Sequence, residues 1–186
     1  MSLRNAVCRM LVVSLAVLTG CLAAPVTPPK SQPEPVGAMT VFIVRHAEKD
    51  LSGGDDPPLT AAGQQRAEAL RDTLRSHPVA AVYTTNTLRT RSTAAPLAAA
   101  RGLEPRLYDA RQKGALARRL REEHRGQTVV AVGHSNTVLL LIESLGAARP
   151  VSEVTDADYD YLFEVTVQPD GSASAQARRY GASTAR

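Results

Sequence analysis

The stretch Val41-Phe42-Ile43-Val44-Arg45-His46-Ala47-Glu48 places an apolar run directly before a cationic side chain and a histidine. Such a run predicts a strand that is buried on both faces of a sheet. The pattern recurs at residues 129–134, where an apolar run leads into Gly133-His134, and a third run, residues 79–83, is followed by Arg89. Because the carboxyl ends of parallel strands meet at one edge of a sheet, we expect these side chains to form one anion site.

The rest of the pattern predicts an α/β fold with a mainly parallel central sheet. We expect strands over residues 40–44, 79–83, 103–108 and 127–132, with helices over about residues 60–76, 87–102, 112–124 and 137–145. Thr60 is expected to cap the first helix, and Pro96 to kink or restart the second. Strands at 159–167 and 173–180 flank Pro169-Asp170-Gly171, which predicts a hairpin. This order indicates a three-layer α/β/α sandwich.

The first 38 residues are expected to direct export and to tether the domain. Arg4 and Arg9 precede a short apolar segment, and Leu18-Thr19-Gly20-Cys21 then resembles a bacterial lipoprotein signal in which the cysteine is lipidated. An ordinary secretory signal with an incidental cysteine is the alternative.

The predicted organisation follows from that signal. Residues 1–20 would be a signal peptide, residues 21–38, which contain five prolines, a lipidated and extended tether, and residues 39–186 the folded domain. The protein would then be anchored in the bacterial cell envelope through lipid on Cys21, facing the periplasm. Leu22 after the cysteine favours the outer membrane in a Gram-negative cell.

Composition excludes several classes of function. Cys8 and Cys21 are the two cysteines, so the predicted domain has no thiol for disulfides, thiolate catalysis or cysteine-based metal sites. Loss of residues 1–20 lowers the net charge from +4 to +2, which is too small for a nucleic-acid footprint. A metal site that includes His46 and Glu48 is an alternative, but the neighbouring arginines would repel a cation. We therefore expect no nucleic-acid partner, metal or cofactor.

Four ordered motifs make the chain resemble the histidine phosphatase superfamily, which has the phosphoglycerate mutase-like fold. Arg45-His46-Ala47-Glu48 is similar to the family's Arg-His-Gly-Glu motif, and Pro58-Leu59-Thr60-Ala61-Ala62-Gly63 to its Leu-Thr-x-x-Gly segment. Residues 84–94 resemble its Ser-Ser-x-x-x-Arg-x-x-x-Thr-Ala turn and helix, and Gly133-His134 resembles its second histidine motif. The resemblance spans about residues 40–145 and implies a phosphatase that forms a phosphohistidine.

The resemblance implies a role for each residue, and charge chemistry agrees with it. His46 would be the nucleophile, while Arg45 and Arg89 would bind phosphate oxygens and lower the pKa of His46 so that the imidazole stays neutral. The second ring nitrogen of His46 should donate to a backbone carbonyl. A protonated His134 and the N–H of Ser135, at a helix start, would complete the pocket for a small phosphorylated substrate.

Two questions stay open at this level. The proton for the leaving group would come either from Asp109, after the third strand, or from Glu48, which lies close enough to the nucleophile to contact substrate. Besides a phosphomonoesterase, the chain could be a phosphate- or phosphosugar-binding lipoprotein without turnover, or a phosphohistidine-protein phosphatase. The short segment between Asp109 and Thr128 favours a small phosphatase over a mutase. The sequence leaves the substrate and the oligomeric state unspecified.

Overall fold

The structure is a computed structural model that describes residues 37–112 and 114–184. The predicted signal peptide, Cys21 and most of the predicted tether lie outside the described residues. In chain order the elements are β1 (Met39–Arg45), α1 (Ala61–Thr73), β2 (Val79–Thr84), α2 (Leu88–Arg101), β3 (Arg106–Leu107), α3 (Ala115–Glu123), β4 (Thr128–Gly133), α4 (Ser135–Ser144), β5 (Tyr161–Val167) and β6 (Ala173–Arg179). Within residues 37–112 and 114–184, none of the helices is long and apolar enough to cross a membrane.

The six strands form one mixed sheet in the order β3-β2-β4-β1-β5-β6. Strands β3, β2, β4 and β1 are parallel, whereas β5 is antiparallel to β1 and β6 to β5. The predicted hairpin therefore continues the sheet beyond β1. The prediction of a mainly parallel α/β sheet is confirmed. Strand β1 is hydrogen-bonded to β4 on one edge and to β5 on the other.

Helices cover both faces of the sheet, because alternate residues of each central strand point to opposite sides. Val41 and Ile43 of β1 belong to one core with residues of α3 and α4. Phe42 and Val44 belong to a second core with residues of α1 and α2. This division produces the three-layer sandwich and explains the continuous apolar runs of β1 and β4.

Several predicted boundaries differ from the structure. The third strand is two residues long, at the sheet edge, and not the six expected. α2 is one helix over Leu88–Arg101 that contains Pro96, so the proline does not restart it. The fourth helix begins at Ser135, two residues earlier than expected. Thr60 caps α1 as predicted, since its hydroxyl accepts the N–H of Gly63 at 3.1 Å.

Gly63 allows α1 to pack against the loop that follows β1. A Cβ at this position would lie 2.2 Å from the carbonyl oxygen of Glu48. The Thr60 N–H donates to that same carbonyl at 2.9 Å. The start of α1 therefore fixes the backbone just beyond His46. This contact explains the threonine and the glycine of the Leu-Thr-x-x-Gly segment.

Candidate active site

The predicted cationic and histidine side chains meet at the carboxyl edge of the sheet. Arg45 pairs with Gly133 in the β1–β4 register, so His46 and His134 follow neighbouring strand ends. Their ring centroids lie 5.4 Å apart. Both histidines, Arg45 and Arg89 line an open cavity of about 1080 Å³. The sequence prediction of their convergence is therefore correct.

His46 is held in the tautomer that a nucleophile requires. Its Nδ1 lies 2.8 Å from the carbonyl oxygen of Ala47, which can only accept, so Nδ1 carries the proton and Nε2 keeps its lone pair. The pKa of His46 is lowered to about 3, and burial is the largest cause; the charges of Arg45 and Arg89 act in the same direction, whereas the Ala47 hydrogen bond opposes them. The imidazole is therefore neutral, but burial outweighs the cations that the sequence suggested as the cause.

A segment far along the chain fixes the Arg45 guanidinium. Its Nη1 donates to the carbonyls of Thr155 and Asp158, at 2.9 and 3.3 Å, and its Nη2 to Asp156 Oδ1 at 3.1 Å. The ring of Tyr159 lies beneath it, 4.2 Å from ring centroid to guanidinium carbon. The buried Nε atom has no partner in the described part of the chain. Arg45 is thus held in place, and its Nε–H is still unpaired among the described residues.

Arg89 approaches from the first turn of α2. Asp56 accepts the backbone N–H of Leu88 at 2.8 and 2.9 Å and lies 3.5 Å from Arg89 Nη1. Thr87, the residue before α2, makes no capping bond through its side chain, so Asp56 caps this helix from another loop. Within residues 37–112 and 114–184, the buried Nε of Arg89 also lacks a partner.

His134 closes the opposite side of the cavity. Its Nε2 lies 2.9 Å from Thr85 Oγ1, and it stands directly before α4. The pKa of His134 is lowered to about 4, chiefly by burial and to a smaller extent by the charges of Arg89 and Arg45. His134 is therefore neutral here, and the protonated form expected from the sequence would need the negative charge of a dianion beside it. Ser135 begins α4, so the helix N-terminus faces the cavity.

Comparisons with known proteins relate part of this chain to one superfamily. Residues 41–111 match the sequence profile of the histidine phosphatase superfamily (branch 1). This part of the chain, which contains Arg45, His46 and Arg89, is therefore similar to that superfamily. The probable phosphoglycerate mutase GpmB of Yersinia enterocolitica is 35% identical over 81 residues, which are 38% of this chain and 38% of that protein. The match thus spans well under half of the curated relative.

Solved structures share the fold over most of the described domain. The protein histidine phosphatase SixA, complexed with tungstate, superposes with a TM-score of 0.63 at 20% identity, covering 76% of this chain and 97% of SixA. A mycobacterial glucosyl-3-phosphoglycerate phosphatase gives 0.60 at 15% identity, covering 78% and 100%. At these identities the likeness concerns the fold alone.

Glu48 does not line the cavity, contrary to the sequence expectation. Its oxygens accept from Arg66 Nε at 2.9 and 3.0 Å and from Arg66 Nη2 at 2.7 Å. Arg66 is buried and also donates to the carbonyls of Tyr180 and Ala182. The Glu48–Arg66 pair thus joins the loop after β1 to α1 and to the chain after β6. The carboxylate serves this ion pair, and the expected roles of Glu48 as a substrate contact or acid, and its alternative role as a metal ligand, do not fit the structure.

Asp109 lines the cavity as expected, but it is ionised. Arg111 donates to it from Nε and Nη2, at 3.0 and 3.1 Å, and from its backbone N–H. These hydrogen bonds lower the pKa of Asp109 to about 2. A general acid must carry a proton, so Asp109 can act as one only after Arg111 moves.

Sequence reasoning missed several residues of the site. Asp156 and Tyr159 precede β5 in an irregular loop, where no periodic pattern indicates a role. Thr85 follows β2 and orients His134, and Thr93 of α2 accepts the Ala47 N–H at 2.9 Å. The location of Thr85 directly after a strand could have indicated that it belongs to the site. No sequence feature marks Asp156 in this way.

Proposed function

We propose that this domain is a phosphomonoester hydrolase that acts through a phosphohistidine on His46. The observation that carries the proposal is the orientation of His46: Nδ1–H is held by the Ala47 carbonyl, and the neutral ring shares its cavity with Arg45, Arg89 and His134. A phosphate dianion would supply acceptors for the unused Nε–H groups of both arginines.

The reaction divides into two displacements at phosphorus. In the first, the His46 Nε2 lone pair forms the N–P bond while the bond from phosphorus to the leaving oxygen breaks, and that oxygen takes a proton. In the second, water attacks the phosphohistidine, the N–P bond breaks, and orthophosphate and His46 are released. Arg45 and Arg89 would stabilise charge on the equatorial oxygens in both transition states.

Turnover of p-nitrophenyl phosphate by the full chain tests this function. The chain would be purified in detergent and assayed in EDTA, beside His46→Ala. Hydrolysis by the native chain alone supports the proposal. Hydrolysis that survives His46→Ala contradicts the mechanism, and phosphate binding without hydrolysis would favour the binding lipoprotein.

A second candidate is hydrolysis of phosphohistidine on a protein. Asp109, which was expected to supply the proton, is held ionised by two side-chain hydrogen bonds from Arg111. A phosphorylated imidazole needs no carboxylic acid to leave, because the departing ring can itself be protonated near neutral pH. A phosphohistidine peptide hydrolysed at least tenfold faster than p-nitrophenyl phosphate, as kcat/KM, would favour this candidate; the reverse order would favour the ester.

We also propose that the domain is tethered to the cell envelope through lipid on Cys21. The support is the order of Arg4, Arg9, the apolar segment and Leu18-Thr19-Gly20-Cys21. Incorporation of labelled palmitate into the native chain, lost in Cys21→Ser, is the expected result. Unlabelled native chain in the soluble fraction would contradict the tether and would favour the phosphohistidine-protein substrate.

A further inference from the structure

We propose that the cavity contains a subsite for an apolar leaving group, formed by Leu107, Ala110 and Leu140. These three residues are called the apolar wall below. The substrate class is then a phosphomonoester whose alcohol or phenol is apolar next to the phosphate. This inference rests on the proposed phosphatase function and adds the chemistry of its substrate.

The exposure of two leucines is the first observation. Four large hydrophobic side chains are exposed in the part of the chain that the structure describes: Leu51 (86%), Leu88 (37%), Leu107 (51%) and Leu140 (37%). Two of them, Leu107 and Leu140, line the same cavity as His46. Single exposed leucines are ordinary, but apolar side chains grouped on a cavity wall indicate a ligand surface.

The position of the wall relative to the phosphate is the second observation. Asn136 and Leu140 both line the cavity and are four residues apart on α4, so they lie on one face of the helix. Leu140 is therefore about 6 Å farther along the helix axis than Asn136, which lies in the first turn. A phosphate at the N-terminus of α4 would direct the first atoms of its leaving group past this wall.

The wall extends beyond the main cavity. A smaller cavity of about 30 Å³ adjoins it, and Ala110 and Leu140 line both. Leu116 and Leu141 are among the other residues that line the smaller cavity, and the hydroxyl of Tyr108, at its edge, already donates to the Val132 carbonyl at 3.2 Å. Polar residues line the smaller cavity as well, namely Asp109, Gln112, Thr137 and Ser144. An alkyl branch would therefore meet leucine carbon on part of its surface, and burial of that part would favour binding.

A matched pair of aryl phosphates tests the subsite. Phenyl phosphate and 4-tert-butylphenyl phosphate release phenols of nearly equal basicity, so they differ in the apolar volume offered to the wall. We expect kcat/KM of the native chain to be about tenfold higher for the tert-butyl ester. The difference should arise in KM, because the contact is present in the ground state and the transition state alike.

Variants of the apolar wall test which residues cause the preference for the tert-butyl ester. In Leu107→Thr/Leu140→Gln the ratio of the two kcat/KM values should fall to about one, and Leu107→Thr alone should lower it in part. Leu51→Gln is the matched control, because Leu51 is exposed and lies outside the cavity, and it should keep the native ratio. Thermal unfolding of each variant shows whether it is folded.

The outcomes separate this inference from the proposed function. A native ratio near one would overturn the subsite and would favour a polar leaving group directed towards Asn86 and Thr87. A tenfold ratio that persists in the double variant would overturn the assignment of the subsite to Leu107 and Leu140. Failure to hydrolyse either ester would contradict the phosphatase function. In that case, binding of methylphosphonate and hexylphosphonate, measured by calorimetry, still tests the subsite. The apolar wall predicts about tenfold tighter binding of the hexyl compound, and equal binding of the two would overturn the subsite.

Discussion

Arg45 and Asp156 form an ion pair in which the arginine side chain is 3% exposed and the carboxylate side chain 92% exposed, with 3.1 Å between Nη2 and Oδ1. Asp156 also accepts from the Ser135 hydroxyl at 3.1 Å. The carboxylate thus bridges two groups that are expected to bind the phosphate. An incoming dianion would meet this negative charge at the cavity wall.

Asp156→Asn is expected to lower KM about two- to fivefold with little change in kcat. The variant removes repulsion of the dianion, while two backbone carbonyls and Tyr159 still hold Arg45. The gain should shrink at high salt, because the group is exposed. Glu153→Gln, an exposed acidic residue in the same loop, is the control. A higher KM in Asp156→Asn would mean that the carboxylate chiefly positions Arg45.

Glu48→Gln tests the structural assignment of the Glu48–Arg66 pair. The variant leaves the buried Arg66 without its carboxylate, so we expect the free energy of unfolding to fall by about 2–3 kcal/mol in urea titrations. Glu68→Gln, which removes an exposed partner of Arg71, should change it by less than about 0.5 kcal/mol. The folded Glu48→Gln chain should keep kcat/KM within about threefold. A loss near 100-fold at native stability would return Glu48 to the reaction.

The two site histidines should make the domain less stable in acid. Their pKa values are depressed, to about 3 for His46 and about 4 for His134, against 6.5 in an unfolded chain. As the pH falls below 6.5, these histidines become protonated in the unfolded chain but stay neutral in the folded one. The free energy of unfolding therefore decreases progressively towards pH 4. Between pH 7 and 4.5, His46→Asn/His134→Asn should lose about 4 kcal/mol less than the native chain in urea unfolding, or about 2 kcal/mol for each histidine replaced. An equal loss would contradict the buried neutral state.

Asp109→Asn separates leaving groups that need a proton from those that do not. If Arg111 moves aside in the complex and Asp109 supplies the proton, hydrolysis of ethyl phosphate should fall about 100-fold, whereas p-nitrophenyl phosphate should change little. Arg111→Ala should raise the pKa of Asp109 from about 2 towards 3.8, and thus speed ethyl phosphate hydrolysis in mild acid. Equal rates for native chain and Asp109→Asn on both esters would indicate substrates that require no carboxylic acid.

The sequence predicted the residues whose placement depends on regular structure. His46, Arg45 and His134 follow apolar runs that can only be buried strands, and Arg89 begins a helix after another such run. Parallel pairing of β1 with β4 then brings His46 and His134 together without any detailed knowledge of packing. The α/β layers follow from the same runs, because their residues alternate between two cores.

Predictions failed where contacts between distant segments decide the outcome. Glu48 is two residues from the nucleophile, yet its side chain turns to Arg66 on α1, a partner that no local pattern identifies. Asp156 lies 111 residues from Arg45 in an irregular loop. The ionisation of Asp109 depends on the Arg111 side chain, whose orientation a motif does not specify.

Trapping the covalent intermediate tests the central claim most directly. The full chain would be mixed rapidly with p-nitrophenyl phosphate, quenched in alkali, which preserves phosphohistidine, and digested for mass spectrometry, with His46→Ala treated in parallel. The account predicts one phosphoryl group on the His46 ring nitrogen in the native chain and none in the variant. Steady turnover with no phosphorylated residue, or with the phosphoryl group on His134, would contradict it.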